Sequence, residues 1–136
     1  MATKTAHAYI KGIDVQPRKT SVVASLVRDR YVSDAVVILE NTPRRAAKPV
    51  LKAIQSATAN LMQSGSIDTK TIAINRISVT AGTRMRRYVP ASRGRALPYE
   101  KISSNIFVEV VGEEKAKKAA PKADAKKADK KEKESK

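Results

Sequence analysis

The sequence predicts an α+β fold: three helices packed on a small three-stranded antiparallel sheet, with a long β-hairpin running out of it. Three observations predict it. From Pro17 to Gly65 apolar residues recur at helical spacing, and after Gly65 the period becomes two. Between two alternating segments lies a basic stretch, residues 82–101, that keeps neither period. Helices on one side of a small antiparallel sheet bury both kinds of apolar face.

Residues 3–15 carry Tyr9, Ile10, Ile13 and Val15 and read as a strand of imperfect alternation. Pro17, suited to a first helical position, opens a helix whose stripe is Val22, Val23, Leu26 and Val27. Ser33 or Asp34 caps a second, short helix over residues 35–39, and Asn41-Thr42-Pro43 stops it. Thr42 with Pro43 then reads as the N-cap and first residue of a third helix. That helix sets Ala47, Val50, Leu51, Ile54, Ala57, Thr58 and Leu61 on one face and ends at Gly65. Pro49 inside the pattern demands a kink or a later start. Ile72 and Ile74 share one parity and Ile77 and Val79 the other, so a bulge at Asn75-Arg76 is needed to keep all four on the core side. Ile102, Ile106, Val108 and Val110 alternate through the last strand. Aromatic residues are only 4% of the chain, so Val, Ile, Leu and Ala must build the core.

The 136 residues fit one domain. Its expected extent is 1–112, including the hairpin over 80–103. Residues 113–136 form a Lys/Ala-rich tail without a large apolar side chain, which cannot offset its ordering entropy and is expected to be disordered. The formal charge is +15. The tail holds 10 Lys and 6 acids, leaving 18 basic and 7 acidic residues, a net +11, in residues 1–112. A polyanionic partner is the expectation.

Other chemistries are poorly supplied. With no Cys, a disulfide framework, a thiolate nucleophile and a Cys-based zinc site are excluded. His7 is the single histidine and reads as a strand residue. The acids Asp14, Asp29, Asp34, Glu40, Asp68, Glu100 and Glu109 are scattered without metal-ligand spacing. No GxGxxG, Walker-type loop or Ser-centred elbow occurs. The reading is therefore a protein that is not an enzyme and uses no metal or cofactor. The longest apolar run, residues 35–39, is far short of the roughly 20 residues of a membrane helix, and a soluble, intracellular protein is expected.

The basic stretch holds Arg84, Arg86, Arg87, Arg93, Arg95 and Lys101 against Glu100 alone, and its few apolar residues, Met85, Val89 and Leu97, leave it no face to bury. It reads as a hairpin whose arms reach roughly 30 Å at about 3.3 Å per residue. A guanidinium matches phosphate bidentately and stacks on bases, whereas an ammonium is a point charge. All 11 Arg lie in the body and the tail uses Lys alone, so the choice of Arg here points to RNA or DNA rather than to solubility. Tyr88 and Tyr99 add rings for unpaired bases. Arg18-Lys19 and Arg44-Arg45, placed at helix starts, are further phosphate candidates.

Several of these residues resemble one family closely. Pro17-Arg18-Lys19, Leu26-Val27-Arg28, Val32-Ser33-Asp34-Ala35 and Ser56-Ala57-Thr58-Ala59-Asn60 resemble the helical half of the large ribosomal subunit protein twenty-two family, in its bacterial type. Gly82, Met85-Arg86-Arg87, Pro90 and Arg93-Gly94-Arg95-Ala96 resemble its hairpin, and the match spans residues 5–111. Asp29 stands where that family commonly has Gly, and Asn105 where it commonly has His. The resemblance implies a constituent of the cytoplasmic ribosome that binds large-subunit ribosomal RNA, touches neighbouring large-subunit proteins and supports assembly. It also implies that the tip, Val89, Pro90, Ala91, Ser92, Arg93 and Gly94, lines the exit tunnel and meets the nascent polypeptide. No membrane contact and no homo-oligomer are implied. A DNA-architectural protein with an Arg-bearing ribbon is the competing reading, although such ribbons carry a large apolar wedge at the apex. An RNA-modifying enzyme, which would need a cofactor pocket, is the third.

Overall fold

The computed structural model describes residues 3–65 and 67–113. The tail expected to be disordered lies outside the described residues from 114 onward. Strand β1 (Thr3–Ile13) is followed by helices α1 (Pro17–Leu26), α2 (Val32–Glu40) and α3 (Ala47–Gln63) and then by strands β2 (Ala73–Pro90) and β3 (Ala96–Glu113). The sheet is antiparallel in the order β1-β3-β2, so the last strand lies between the other two. The α+β expectation holds.

β3 is the ruler of the sheet. Its even residues Ser104, Ile106, Val108 and Val110 are all buried, without a break in parity. Each flanking strand adjusts to it. The expected bulge in β2 is present, because Ile74 pairs with Val110 and Arg76 with Glu109, leaving Asn75 extra. β1 pairs Ile10 with Ile106 and Ile13 with Ser104, leaving an extra residue over Lys11-Gly12. That bulge explains the imperfect alternation: Ala8 and Ile13, of opposite parity, are both buried. Gly12 supplies the left-handed φ of 70° there.

The helices cover the even face of β3. α1 starts at Pro17, as expected, but its buried stripe is Thr20, Val23, Ala24 and Val27, while Val22 and Leu26 are about half exposed. Thr20 is acceptable inside because its hydroxyl donates to the Gln16 carbonyl at 3.2 Å or pairs with Ser104 Oγ at 3.2 Å. α2 begins at Val32 with no side-chain cap, not at a Ser33 or Asp34 cap. The Val32 amide instead donates to the Ile72 carbonyl at 2.9 Å, and Ile74 returns a bond to Arg30. The residue just ahead of β2 thus caps the helix, and residues 30–32 pair with the start of that strand's outer edge.

Thr42 does not cap α3. Its hydroxyl donates back to the Ile38 carbonyl at 2.6 Å and closes α2. α3 takes the later start, placing Pro49 third in the helix, where the missing N–H would have had no intrahelical partner. Its buried face is Ala47, Val50, Ala53, Ile54, Ala57 and Leu61. Leu51 and Thr58 lie at the margin of that face.

Candidate nucleic-acid interface

Beyond the body, β2 and β3 continue as a two-stranded ribbon. After Ala81↔Ser104 the ladder skips a residue in β2, resumes at Arg84↔Ile102 and runs to Pro90↔Ala96. From Gly82 to Pro90 an arm spans about 30 Å at 3.3 Å per residue. Val89 and Pro90 are still on the ladder, paired with Leu97 and Ala96, so the turn itself is residues 91–95. The Ala91 amide donates to the Arg95 carbonyl at 2.7 Å, and Arg93 and Gly94 take left-handed φ values of 59° and 74°.

Pairing creates two faces that neither strand shows alone, since residues opposite one another point the same way. Arg84, Arg86 and Tyr88 share one face with Glu100 and Pro98. Met85, Arg87 and Val89 share the other with Lys101, Tyr99 and Leu97. The expectation that the apolar residues lack a common side is therefore corrected: Met85, Val89 and Leu97 gather on one face, about half exposed. Tyr88 is 68% exposed and Tyr99 47%, on opposite faces. Arg84, Arg86, Arg87, Arg93 and Arg95 are all exposed, and the ribbon's own ion pair is Arg84 Nη1 to Glu100 Oε2 at 3.6 Å.

At the root of the ribbon the fold assembles a second cationic group. Asp14, in the turn between β1 and α1, accepts from Arg45 Nη2 at 2.9 Å and pairs with Lys101 Nζ at 2.9 Å. Lys101 and Arg45 hold its carboxyl below the ordinary carboxylate value, with the Lys101 hydrogen bond the largest cause. A cleft of about 330 Å³ lies there, lined by Asp14, Val15, Gln16, Lys19, Arg45, Lys101 and Ile102. Three cations around one carboxylate suit the phosphate of a nucleic-acid backbone. Arg18, in the first turn of α1, and Arg44 are exposed but outside this lining. Arg44 and Arg45 sit in the loop before α3, ahead of the helix rather than in its first turn. Asp14 was not among the sequence candidates, because its partners lie 31 and 87 residues away. Among the described residues no cluster of His, Asp or Glu is placed to hold a metal, and no helix is long and apolar enough to cross a membrane.

The profile of the ribosomal protein L22p/L17e family matches residues 8–111, which include both the helical body and the whole ribbon. The chain belongs to that family. Relatives agree: the large ribosomal subunit protein uL22 of Anaeromyxobacter sp. (strain Fw109-5) is 40% identical over 105 residues, 76% of this chain and 73% of that protein. The uL22 of Myxococcus xanthus (strain DK1622) is 41% identical over 74% of this chain and 90% of its own length. That of Orientia tsutsugamushi (strain Boryong) is 36% identical over 80% and 94%. Membership makes this a structural, non-enzymatic ribosomal protein. Of the two departures from the family pattern, one carries backbone strain and the other makes a local contact. Asp29 occupies a left-handed position, φ 58°, the conformation a glycine serves best. Asn105 Oδ1 accepts the Gly12 amide at 2.9 Å and so pins the bulge of β1.

Proposed function

We propose that this chain is a structural constituent of the large ribosomal subunit that binds large-subunit ribosomal RNA, supports assembly and lines the polypeptide exit tunnel with its hairpin tip. The observation that carries this reading is the ribbon: both faces exposed, five arginines, and no apolar side buried on its own body. Such an element gains order from a polyanion packed around it. The root cleft and the exposed Arg18 and Arg44 extend the RNA contact onto the body. Neighbouring large-subunit proteins and, at residues 89–94, the nascent polypeptide complete the partners, in a cytoplasmic ribosome and without self-association.

The test is reconstitution with a hairpin trimmed of residues 84–96. The expected result is a folded protein that still enters the subunit through Arg18, Lys19, Arg44 and Arg45 but leaves a wider tunnel, read as altered protection of tunnel RNA and altered response to tunnel-binding drugs. Unchanged protection and response in particles holding the trimmed protein would overturn the tunnel role. Equal affinity for duplex DNA and for structured ribosomal RNA would overturn the RNA role.

A further inference from the structure

The sheet has one face under the helices and one open, and the open face holds an unusual share of the chain's few rings. His7 and Phe107 stack with centroids 5.9 Å apart at 27°. Tyr9 lies opposite Phe107 in the β1–β3 ladder and is 48% exposed. Lys11 Nζ stands 5.3 Å from the centre of the Tyr9 ring. Arg76, exposed on β2, lies level with Glu109, which accepts from Asn75 Nδ2 at 3.3 Å. The core contains no aromatic ring at all. The chain's one Phe, its one His and one of its four Tyr are thus spent outside the core, in a single group in which His7 and Tyr9 are exposed and Phe107 is half-buried.

This group is continuous with the ribbon. β3 has unbroken parity, so Phe107 lies on the same side of that strand as Lys101, Tyr99 and Leu97. One side of β3 therefore runs from the ribbon's tip to the body, carrying rings at residues 99 and 107 and cations beside both. Exposed rings on a sheet, flanked by cations, suit one ligand: unpaired nucleotides, whose bases stack while their phosphates meet Lys or Arg. A protein partner is less well served, because charged and polar residues, Lys11, Arg76, Ser78, Asn105 and Glu109, border the rings rather than large aliphatic ones.

We infer that the open face of the sheet is a base-stacking platform for single-stranded RNA, with Tyr9, Phe107 and His7 as the rings and Lys11 and Arg76 as the phosphate contacts. This rests on the RNA-binding reading above and assigns it a second, chemically different surface. Stacking survives salt that screens phosphate contacts, so the two surfaces separate by their salt response.

The probe is a single-stranded RNA oligomer of about ten nucleotides carrying 2-aminopurine, titrated onto the full chain at low and high salt. Quenching on binding is expected, with part of the affinity persisting at high salt. Tyr9→Leu with Phe107→Leu keeps strand-compatible apolar side chains. It should weaken binding about ten-fold or more and abolish the quench, while leaving the salt slope unchanged. Arg84→Gln, Arg86→Gln and Arg87→Gln together should flatten the slope and leave the quench. Wild-type binding and quench in the Tyr9/Phe107 variant would overturn the platform while leaving the hairpin reading intact. If neither set of changes alters binding, the RNA-binding reading falls too. Should the double variant fail to fold, ultraviolet crosslinking of RNA to the unmodified protein decides. Adducts in residues 3–11 or 105–111 support the platform, and adducts confined to 84–101 overturn it.

Discussion

Single residues decide more here than their exposure suggests. Asp14 joins the loop before α3 to the root of the ribbon, and both partners depress its pKa. A carboxylate with a folded pKa below its unfolded value stabilises the protein above the unfolded value, near 3.8, and loses that contribution as pH falls through the folded value. The stability difference between the native chain and Asp14→Asn should therefore be constant well above 3.8 and shrink as pH falls below it, measured by urea unfolding across the acid range. The difference will be small, because all three groups are solvated. Asp29 makes the opposite kind of prediction. Its left-handed φ of 58° costs an L side chain steric strain that glycine escapes. Asp29→Gly should stabilise the fold by up to about 1 kcal/mol, net of the added unfolded-state entropy. A loss of stability on denaturant titration would show that the Asp29 side chain makes a favourable contact worth more than the strain.

Among the elements, β3 packs closely at Gly112 against Leu61 of α3 and Ile67 of the segment after it. A Cβ there would stand 2.6 Å from Ile67 Cγ2 and 3.0 Å from Leu61 Cδ2, inside a closed core. Gly112→Ala should cost about 1–3 kcal/mol by overpacking, a fall in Tm on the order of 5–15 °C. The ribbon behaves differently. Its amides from Arg84 to Arg95 are expected to exchange quickly with solvent in the free protein and slowly once bound, while those of Ile106, Val108 and Val110 are protected in both. What the sequence made legible follows the same division. The bulge at Asn75 could be read because four isoleucine and valine positions fixed the parity on either side of it. The late start of α3 could be read from Pro49. The ribbon's apolar face could not, because Met85 and Val89 meet Leu97 and Tyr99 only once the register across the turn is known. The cap of α2 is hidden for a related reason: its partner is the Ile72 carbonyl, just ahead of β2 and forty residues further along, and no side chain announces it. Most of the fold and the hairpin arginines were legible from local pattern, whereas Asp14 and the ring cluster are products of long-range pairing.

At the scale of the whole molecule, charge governs behaviour. The 136 residues carry a net +15, and among the described residues the arginines' ion pairs are Arg45 with Asp14 and Arg84 with Glu100. If six to ten phosphates are engaged, affinity for structured RNA should fall on the order of 10³-fold or more between 50 and 200 mM salt, with a smaller fall on single strands. A slope equivalent to one or two ions would show that shape, not charge, dominates. The strand order has a consequence of another kind, in time rather than space. β1 is made first and β3 last, yet β1 pairs only with β3, Thr3 waiting for Glu113. During synthesis the helices and β2 emerge while the first strand has no ladder partner and the apolar side of α3 has no complete sheet to cover. Local contacts form early and such distant pairings late, so the chain cannot close until its final strand is released. A domain that closes only once its third strand has emerged passes the interval before that as an open, strongly basic chain. In that state it depends on whatever polyanion or chaperone reaches it first, and pulse-labelled chains stopped at residue 100 should remain protease-sensitive in Thr3–Ile13 while full-length chains do not.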